Sequence, residues 1–282
     1  MRFEILDALS EPGNPDKPNE DAFGQGEHIA VVLDGATGLG PPLLPGGSDP
    51  AWVARLGAER LVAHGSGMSL KDALHAAAAD AAAVFARERT RPPSETWETP
   101  FASLMAVAPC DGALDAVWFG DCAALVRRPD EETQIVGEAF EKRAREARRV
   151  AKFAASVGVP PAAARNRDEF LPALRAARNR VNTEKGGWLF GPDPACADHT
   201  ATARVAAPAG TFVLLASDGF LAASSDYALY TADGLVTAAR TRGLRAIYGQ
   251  VRAVEAGDRE GVRFPRFKSN DDATAVLLRI AR

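Results

Sequence analysis

The sequence predicts an α+β fold in which strands are grouped around pairs of helices. Residues 29–33 and 211–217 are continuous apolar runs, which are typical of buried central strands. Residues 101–108 and 113–119 flank the turn sequence Pro109-Cys-Asp-Gly and predict a β-hairpin. The Ala-rich segment 75–86 lies between the first run and the hairpin, and this composition strongly favours a helix.

The first hundred residues predict strands followed by two helices. We expect the strands over 3–9, 19–23 and 29–33, the last two as an antiparallel pair, followed by a Gly- and Pro-rich loop over 38–50. Ser48-Asp49-Pro50 predicts a helix start, because proline is tolerated in the first helical turn, and this helix is expected over 51–64. Ser69 with Asp72 three residues later resembles a capping box and predicts a second helix that ends near Arg89.

The rest of the chain contains a segment of distinct charge, residues 138–185. This segment has twelve basic and six acidic side chains and therefore a charge of +6, whereas the remainder of the chain carries −10. Two interpretations of this basic flap stay open: a solvated helical surface, or an electrostatic guide for an acidic or phosphorylated partner. The other elements expected here are strands over 123–127, 133–136, 187–190, 200–205 and 275–280, flap helices over 138–156 and 168–181, a helical segment over 226–255 broken near Gly243, and a polar loop over 263–271.

Composition argues against several classes of protein. A length of 282 residues with 46% hydrophobic residues suffices for a core in one large domain or two small ones. A net charge of −4 gives no reason to expect nucleic acid or an anionic membrane as partner, and aromatic residues are too sparse in the basic flap for nucleic-acid stacking. No apolar run approaches the roughly 20 residues that span a bilayer, and the first residues do not resemble a signal peptide. Three widely spaced cysteines favour a reducing compartment, so we expect a cytoplasmic protein.

Acidic residues occur at five strand ends. Both long apolar runs end in Asp-Gly, which on its own usually marks only a glycine-permitted turn. No set of Cys and His with metal-ligand spacing accompanies them, and carboxylates packed together without cations would repel one another. The pattern therefore predicts an all-oxygen pocket for hard divalent cations. The acidic residues are Glu20 and Asp21 before the first run, Asp34 and Asp218 at the ends of the two runs, Asp121 after an aromatic-rich strand, and Asp271 and Asp272 before the final strand.

The order of these acidic motifs resembles that of a known enzyme family. NEDAF, VVLDGATG, WFGDCAAL, LLASDGF and NDDATAVLL follow one another over residues 19–280, as in the metal-dependent protein phosphatases of the PPM (type 2C) family, and the chain is most similar to bacterial-type members. The resemblance implies a four-layer α/β/β/α sandwich of two mainly antiparallel sheets flanked by helices. It also implies a single domain over 1–282, with the basic flap 138–185 as a helical insertion beside the active site.

The resemblance further implies a reaction and a cofactor. The expected activity is phosphoester hydrolysis by a water that bridges two Mg²⁺ or Mn²⁺ ions, with phosphoserine or phosphothreonine in proteins as substrate. Asp34 is the candidate bridging carboxylate, because it lies at the end of a rigid central strand. The family pattern adds the Gly35 carbonyl and Glu20 as ligands of the ion on one side.

The remaining acids receive roles from the same resemblance. Asp218 and Asp271 match the family's ligands of the other ion, and Asp121 would join Asp218 in binding a weaker third ion. Asp21 matches an acid that holds a metal-bound water in place without coordinating the metal itself.

The chain also departs from the family pattern in ways that bear on catalysis. Ala36 stands where many eukaryotic members carry a His that acts as general acid. Asp16 stands four residues before Glu20, where the family has an Arg that binds phosphate. Lys17 is the adjacent candidate for this contact, although it offers a point charge instead of the two-pronged guanidinium, and an Arg of the flap is the alternative. Asp272 replaces a common Asn.

Two other functions remain open at this stage. One is a phosphatase of the same fold that acts on small phosphoesters, because the Gly/Pro loop and the flap could exclude a protein substrate. The other is a non-catalytic binding module that keeps the fold, since the usual Arg and His are missing. The sequence carries no signal for oligomeric state.

Overall fold

The computed structural model describes residues 1–129, 131–141, 145, 148, 167–266 and 268–282. In chain order, the strands are β1 (Arg2–Glu11), β2 (Asp21–Gln25), β3 (Ala30–Gly35), β4 (Ala102–Cys110), β5 (Ala113–Phe119), β6 (Ala123–Arg127), β7 (Gln134–Val136), β8 (Ala201–Ala206), β9 (Phe212–Ala216) and β10 (Ala273–Ala281). The helices are α1 (Asp49–Gly65), α2 (Leu70–Glu88), α3 (Arg167–Arg178), α4 (Asp218–Ser225), α5 (Ala232–Arg242) and α6 (Leu244–Gly257). None of the helices in this part of the chain combines the length and apolarity needed to cross a bilayer.

The strands form two antiparallel sheets of five. Sheet I has the order β2-β3-β4-β5-β8, and sheet II has the order β1-β10-β9-β6-β7. One apolar cluster joins the facing sides of the two sheets. A second packs α1 and α2 on the outer face of sheet I, and a third packs α4, α5 and α6 on the outer face of sheet II. The predicted α/β/β/α sandwich of antiparallel sheets is therefore confirmed.

The position of β3 explains its unbroken apolar sequence. Val31 and Leu33 pack with the helices outside sheet I, whereas Ala30 and Val32 face sheet II. All four side chains are fully buried, because successive side chains of a strand point to opposite faces and both faces are covered here. Packing on both faces thus holds the central strand in place, and this also fixes the position of its end at Gly35.

Capping side chains set the starts of the two helices over sheet I, as predicted. The Ser48 hydroxyl accepts a hydrogen bond from the Ala51 amide at the start of α1. Ser69 does the same for the Asp72 amide at the start of α2, and its hydroxyl donates to the Asp72 carboxylate. These bonds satisfy backbone donors that have no partner within the first helical turn.

Two local predictions need correction, one helix was missed, and one prediction lies partly outside the described residues. The expected strand over 187–190 is a single antiparallel bridge between Phe190 and Ala102. The expected helical segment over 226–255 begins only at Ala232, although its break at Gly243 is confirmed. Helix α4 was not predicted. The second flap helix is present as α3, whereas most of the expected helix over 138–156 falls outside the described residues.

Candidate metal centre

Three of the predicted acids lie at one end of sheet I. The antiparallel register places Asp21 of β2 opposite Asp34 of β3, and Asp34 opposite Ser103 of β4. Asp121 follows β5 after Gly120, which has a φ of +73°, a backbone conformation that favours glycine. The Ser103 hydroxyl donates a 2.5 Å hydrogen bond to Oδ1 of Asp121. Strand pairing thus brings together acids that are far apart in sequence.

Sheet II supplies two more acids at the same place. Asp218 begins helix α4 directly after β9, and Asp271 precedes β10. Ser217 connects the two sheets, because its hydroxyl donates a 2.7 Å hydrogen bond to Oδ2 of Asp21 and accepts one from the Thr274 amide. This contact holds the acidic ends of both sheets side by side.

The acids line a cavity of about 1170 Å³. Asp21 lies beneath its wall and is only 4% exposed. The charged residues on the cavity wall are the acids Glu20, Asp34, Asp121, Asp218, Asp226, Glu255, Asp271 and Asp272 and the bases Lys17, Arg178, Arg266 and Lys268. Every predicted site residue except Asp21, including Gly35, therefore lines the cavity.

The glycines after Asp34 and Asp218 are required by close backbone packing. A Cβ on Gly35 would lie 2.6 Å from the carbonyl oxygens of Glu20 and Pro50. A Cβ on Gly219 would lie 2.0 Å from the carbonyl oxygen of Asp272. The expectation of a glycine turn was wrong at both positions, since Gly35 ends a strand and Gly219 lies in the first turn of α4.

Burial and mutual repulsion raise the pKa of the central carboxyl groups. For Asp34, burial is the largest cause, followed by the charges of Asp21 and Asp218. Burial also raises the pKa of Asp21, against the opposing effect of its Ser217 hydrogen bond, and that of Glu20, against a 2.6 Å hydrogen bond from the Thr37 hydroxyl. The ionised cluster is therefore short of positive charge.

The donor set fits a hard divalent cation. It consists of oxygen atoms, and Oδ1 of Asp21 is buried without a hydrogen-bond partner among the described residues. As they stand, no three Asp, Glu, His or Cys side chains in the described ranges are placed to hold one ion together. Oxygens of Glu20, Asp121 and Asp271 instead bond to Thr37, Ser103 and Lys268. Each of these contacts uses one oxygen of its carboxylate, and of the three partners only Lys268 carries a positive charge that would compete with a metal.

Comparison with known proteins shows the fold. No family model matches the sequence, and no curated protein is similar enough to be matched. Among solved structures, the serine/threonine phosphatase PstP/Ppp of Mycobacterium tuberculosis has a TM-score of 0.59 at 16% identity, with 100% of both chains covered. The PstP catalytic domain in complex with two manganese ions gives 0.58 at 17% identity, covering 100% of this chain and 99% of that one. The PPM Ser-Thr phosphatase MsPP of Mycobacterium smegmatis, in complex with cacodylate, gives 0.55 at 18% identity, covering 98% and 99%.

This chain has the PPM phosphatase fold. The fold implied by the order of the acidic motifs is thereby confirmed over the length of the chain, at a sequence identity too low to show more than the fold.

Asp272, which replaces a common Asn of the PPM pattern, has a structural role. Its two carboxylate oxygens accept 2.7 Å hydrogen bonds from the backbone amides of Gly13 and Glu20. The negative charge of Asp272 is therefore used to attach the segment before β2 to the start of β10, and this places Glu20 at the cavity.

Lys268 is a charged group in the cavity that sequence reasoning missed. Its ammonium group lies 2.6 Å from Oδ1 of Asp271. Burial alone would lower the pKa of Lys268, but the charges of Asp271 and Asp34 raise it, so the lysine remains protonated. No local signal separates this lysine from other bases of the polar loop 263–271, because the contact depends on how the loop folds back.

A network beside the cavity fixes that loop. The Asp258 carboxylate accepts hydrogen bonds from the amides of Val262, Arg263 and Phe264, and it pairs with Arg266 at 2.9 Å. Arg252 on α6 donates a 3.0 Å hydrogen bond to the backbone oxygen of Asp271. The last predicted metal ligand is thus held through its main chain as well as through Lys268.

The two candidates for phosphate binding, Lys17 and Arg178, both line the cavity. Lys17 is exposed at the cavity rim, and the sequence alone already suggested it. Arg178, at the end of α3, donates a 3.3 Å hydrogen bond to the backbone oxygen of Ala36. A flap arginine therefore contacts the residue that follows the Asp34-Gly35 pair.

Proposed function

We propose that this protein is a PPM-family phosphatase, dependent on Mg²⁺ or Mn²⁺, that hydrolyses phosphoserine or phosphothreonine esters in proteins. One PPM-type domain over 1–282 would carry the activity. The observation that carries the proposal is the convergence of acids from the strand ends of both sheets on one cavity, within a fold shared with bacterial serine/threonine phosphatases.

The carboxylates would hold two ions and a weaker third. Glu20, Asp34, the Gly35 carbonyl, Asp218 and Asp271 would hold the two ions, and Asp121 with Asp218 would hold the third. Bound divalent ions in such a site supply an acidified water and offset the negative charge that develops on the phosphoryl group.

The remaining groups of the chain orient the reactants. Asp21, which lies beneath the cavity wall, would hold a metal-bound water in place through Oδ1, since Ser217 occupies only the other oxygen. Lys17 at the rim would bring positive charge to the phosphoryl oxygens. Ala36 has no proton to give, so the leaving oxygen would take its proton from water.

A small phosphoester is the second candidate substrate. Helix α3 packs on the loop that follows Asp34 through bonds to the backbone oxygens of Leu39 and Ala36, and this covers part of the approach to the cavity. A cover of this kind admits a small ester more easily than a folded protein loop.

Turnover of p-nitrophenyl phosphate and of a phosphothreonine peptide, with and without Mn²⁺, tests the proposal. We expect metal-dependent hydrolysis that is abolished in Asp34→Asn and Asp218→Asn and unchanged in Asp111→Asn, a matched change in the exposed hairpin turn. The ratio of peptide to small-ester turnover separates the two substrate classes. Activity that survives in both cavity variants would refute the proposal, and Mn²⁺ binding without turnover of either ester would instead indicate a binding module.

A further inference from the structure

The end of helix α3 is clamped to the two loops that border the cavity. The Arg175 guanidinium donates two hydrogen bonds, of 2.7 and 3.1 Å, to the backbone oxygen of Leu39 and lies over the Trp97 ring at 4.1 Å from its centroid. One turn later, the Asn179 side chain accepts from the Trp97 amide at 2.9 Å and donates to Glu95 at 2.6 Å. These contacts fix the height and rotation of the helix over the loop.

This clamp places Arg178 beside the candidate metal centre. Arg178 is half-buried and lies between the two clamping residues, Arg175 and Asn179, and its Nη1 donates to the Ala36 backbone oxygen. The residue lines both the main cavity and an adjoining pocket of about 270 Å³, which is otherwise lined by Lys17, Glu20, residues of the loop over 36–50 and residues 97–100. Arg178 therefore lies where the two spaces adjoin.

Three other bases among the described residues line the main cavity. Arg266 makes hydrogen bonds to Asp258 and to the backbone oxygens of Phe264 and Ser269. Lys268 pairs with Asp271, and Lys17 is exposed at the rim. A guanidinium presents a rigid fork of donors that matches the oxygens of a phosphoryl group, whereas an ammonium group is a point charge.

We propose that Arg178 is the residue that binds the phosphoryl oxygens of the substrate. It would replace the phosphate-binding Arg that the PPM pattern has at the position of Asp16. The inference rests on the proposed phosphatase function and deepens it. The guanidinium donates to the Ala36 backbone oxygen and would contact the substrate from helix α3 of the flap. Substrate binding then depends on the docking of α3, so that the flap takes part in forming the phosphate site.

Binding of inorganic phosphate to the Mn²⁺-loaded protein tests this assignment, measured by calorimetry beside KM and kcat for p-nitrophenyl phosphate. The loss of a charge-assisted hydrogen-bond pair predicts that Arg178→Ala weakens phosphate binding about 10- to 100-fold, with KM raised accordingly. Arg178→Lys should restore part of the affinity, because the charge is kept without the fork. Arg180→Ala, an exposed change two residues further along that lies outside the cavity lining, should leave phosphate binding and turnover unchanged.

The outcomes are distinguishable. Phosphate affinity that is unchanged in Arg178→Ala, in a variant whose thermal unfolding matches the wild type, overturns the inference while the phosphatase function stands. If phosphate affinity falls only in Lys17→Ala, the contact belongs to Lys17 and the inference is overturned. If phosphate affinity falls equally in Arg178→Ala and Arg180→Ala, the effect comes from the net charge of the flap and not from a contact by Arg178, which also overturns the inference. Wild-type protein that neither binds phosphate nor hydrolyses the ester refutes the proposed function and this inference together.

Discussion

Glu255 is a buried carboxylic acid next to the cavity, and it should make the stability of the protein depend on pH. Only 3% of the residue is exposed. Its Oε1 accepts a 3.1 Å hydrogen bond from the Tyr227 hydroxyl, and its Oε2 lies 3.0 Å from Nε of Arg252. Burial raises the pKa of Glu255 from 4.5 to about 7, although Arg252 and Tyr227 act in the opposite direction.

The sign and size of the effect follow from this pKa. Since the folded state binds the proton more tightly than the unfolded chain, ionisation of Glu255 costs stability as the pH rises from about 4.5 to about 7. A shift of roughly 2.5 pKa units corresponds to about 3 kcal/mol in full, of which about 2.5 kcal/mol falls between pH 5 and pH 8. Glu255→Gln keeps an acceptor for Tyr227 and removes the ionisation, so its advantage over the wild type should grow by that amount over this range.

Urea unfolding of the metal-free proteins at pH 5 and pH 8 measures this difference. Glu260→Gln, an exposed change in the loop after α6, serves as the control and should show no pH-dependent difference from the wild type. If the difference between Glu255→Gln and the wild type is the same at both pH values, then Glu255 is ionised in the folded protein throughout. The reasoning from burial would in that case be refuted.

Two further predictions concern metal binding, with Mn²⁺ titration calorimetry as the measurement for both. Gly219→Ala should abolish or strongly weaken Mn²⁺ binding, because its Cβ would lie 2.0 Å from the carbonyl oxygen of Asp272. The control Gly249→Ala, whose Cβ meets no atom within 4 Å, should bind Mn²⁺ normally. Equal Mn²⁺ binding by both variants would contradict the argument from tight packing at Gly219. Lys268→Met removes the ammonium group that lies 2.6 Å from Asp271. The affinity for Mn²⁺ should rise by about tenfold, since the ammonium group and the metal ion no longer compete for the Asp271 carboxylate. An unchanged affinity would show that Lys268 does not compete with the metal.

Much of the fold could be predicted because its signals are local. The β-branched run of β3 predicts a strand that is buried on both faces. Ser48 and Ser69 indicate helix starts, because each accepts a hydrogen bond from the amide three residues later. Helix α4 was missed because a strand followed by Asp-Gly is the same sequence whether the chain turns or starts a helix. At Asp218 the helix forms with Phe220 and Leu221 buried against sheet II, and only tertiary packing decides between the two.

The candidate site could be predicted in part for a related reason. Carboxylates at strand ends are visible in the sequence, whereas the groups that hold them are not. Ser217 contacts Asp21 across 196 positions of the chain, and Ser103 contacts Asp121 across 18. Serines occur throughout the sequence, so nothing local distinguishes these two from surface hydroxyls.

The nature of these partners bears on how the acidic cluster would bind a metal. Thr37, Ser103 and Ser217 offer Glu20, Asp121 and Asp21 a neutral donor, which supports a carboxylate without cancelling its charge. An arginine in the same places would satisfy the carboxylates and lower their affinity for a cation. Burial, together with the charges of neighbouring acids, raises the pKa of Asp34, Asp21 and Glu20, so protons and divalent ions would compete for the same oxygens. Lys268 is the exception, because its ammonium group is positively charged and would compete with a cation for the Asp271 carboxylate.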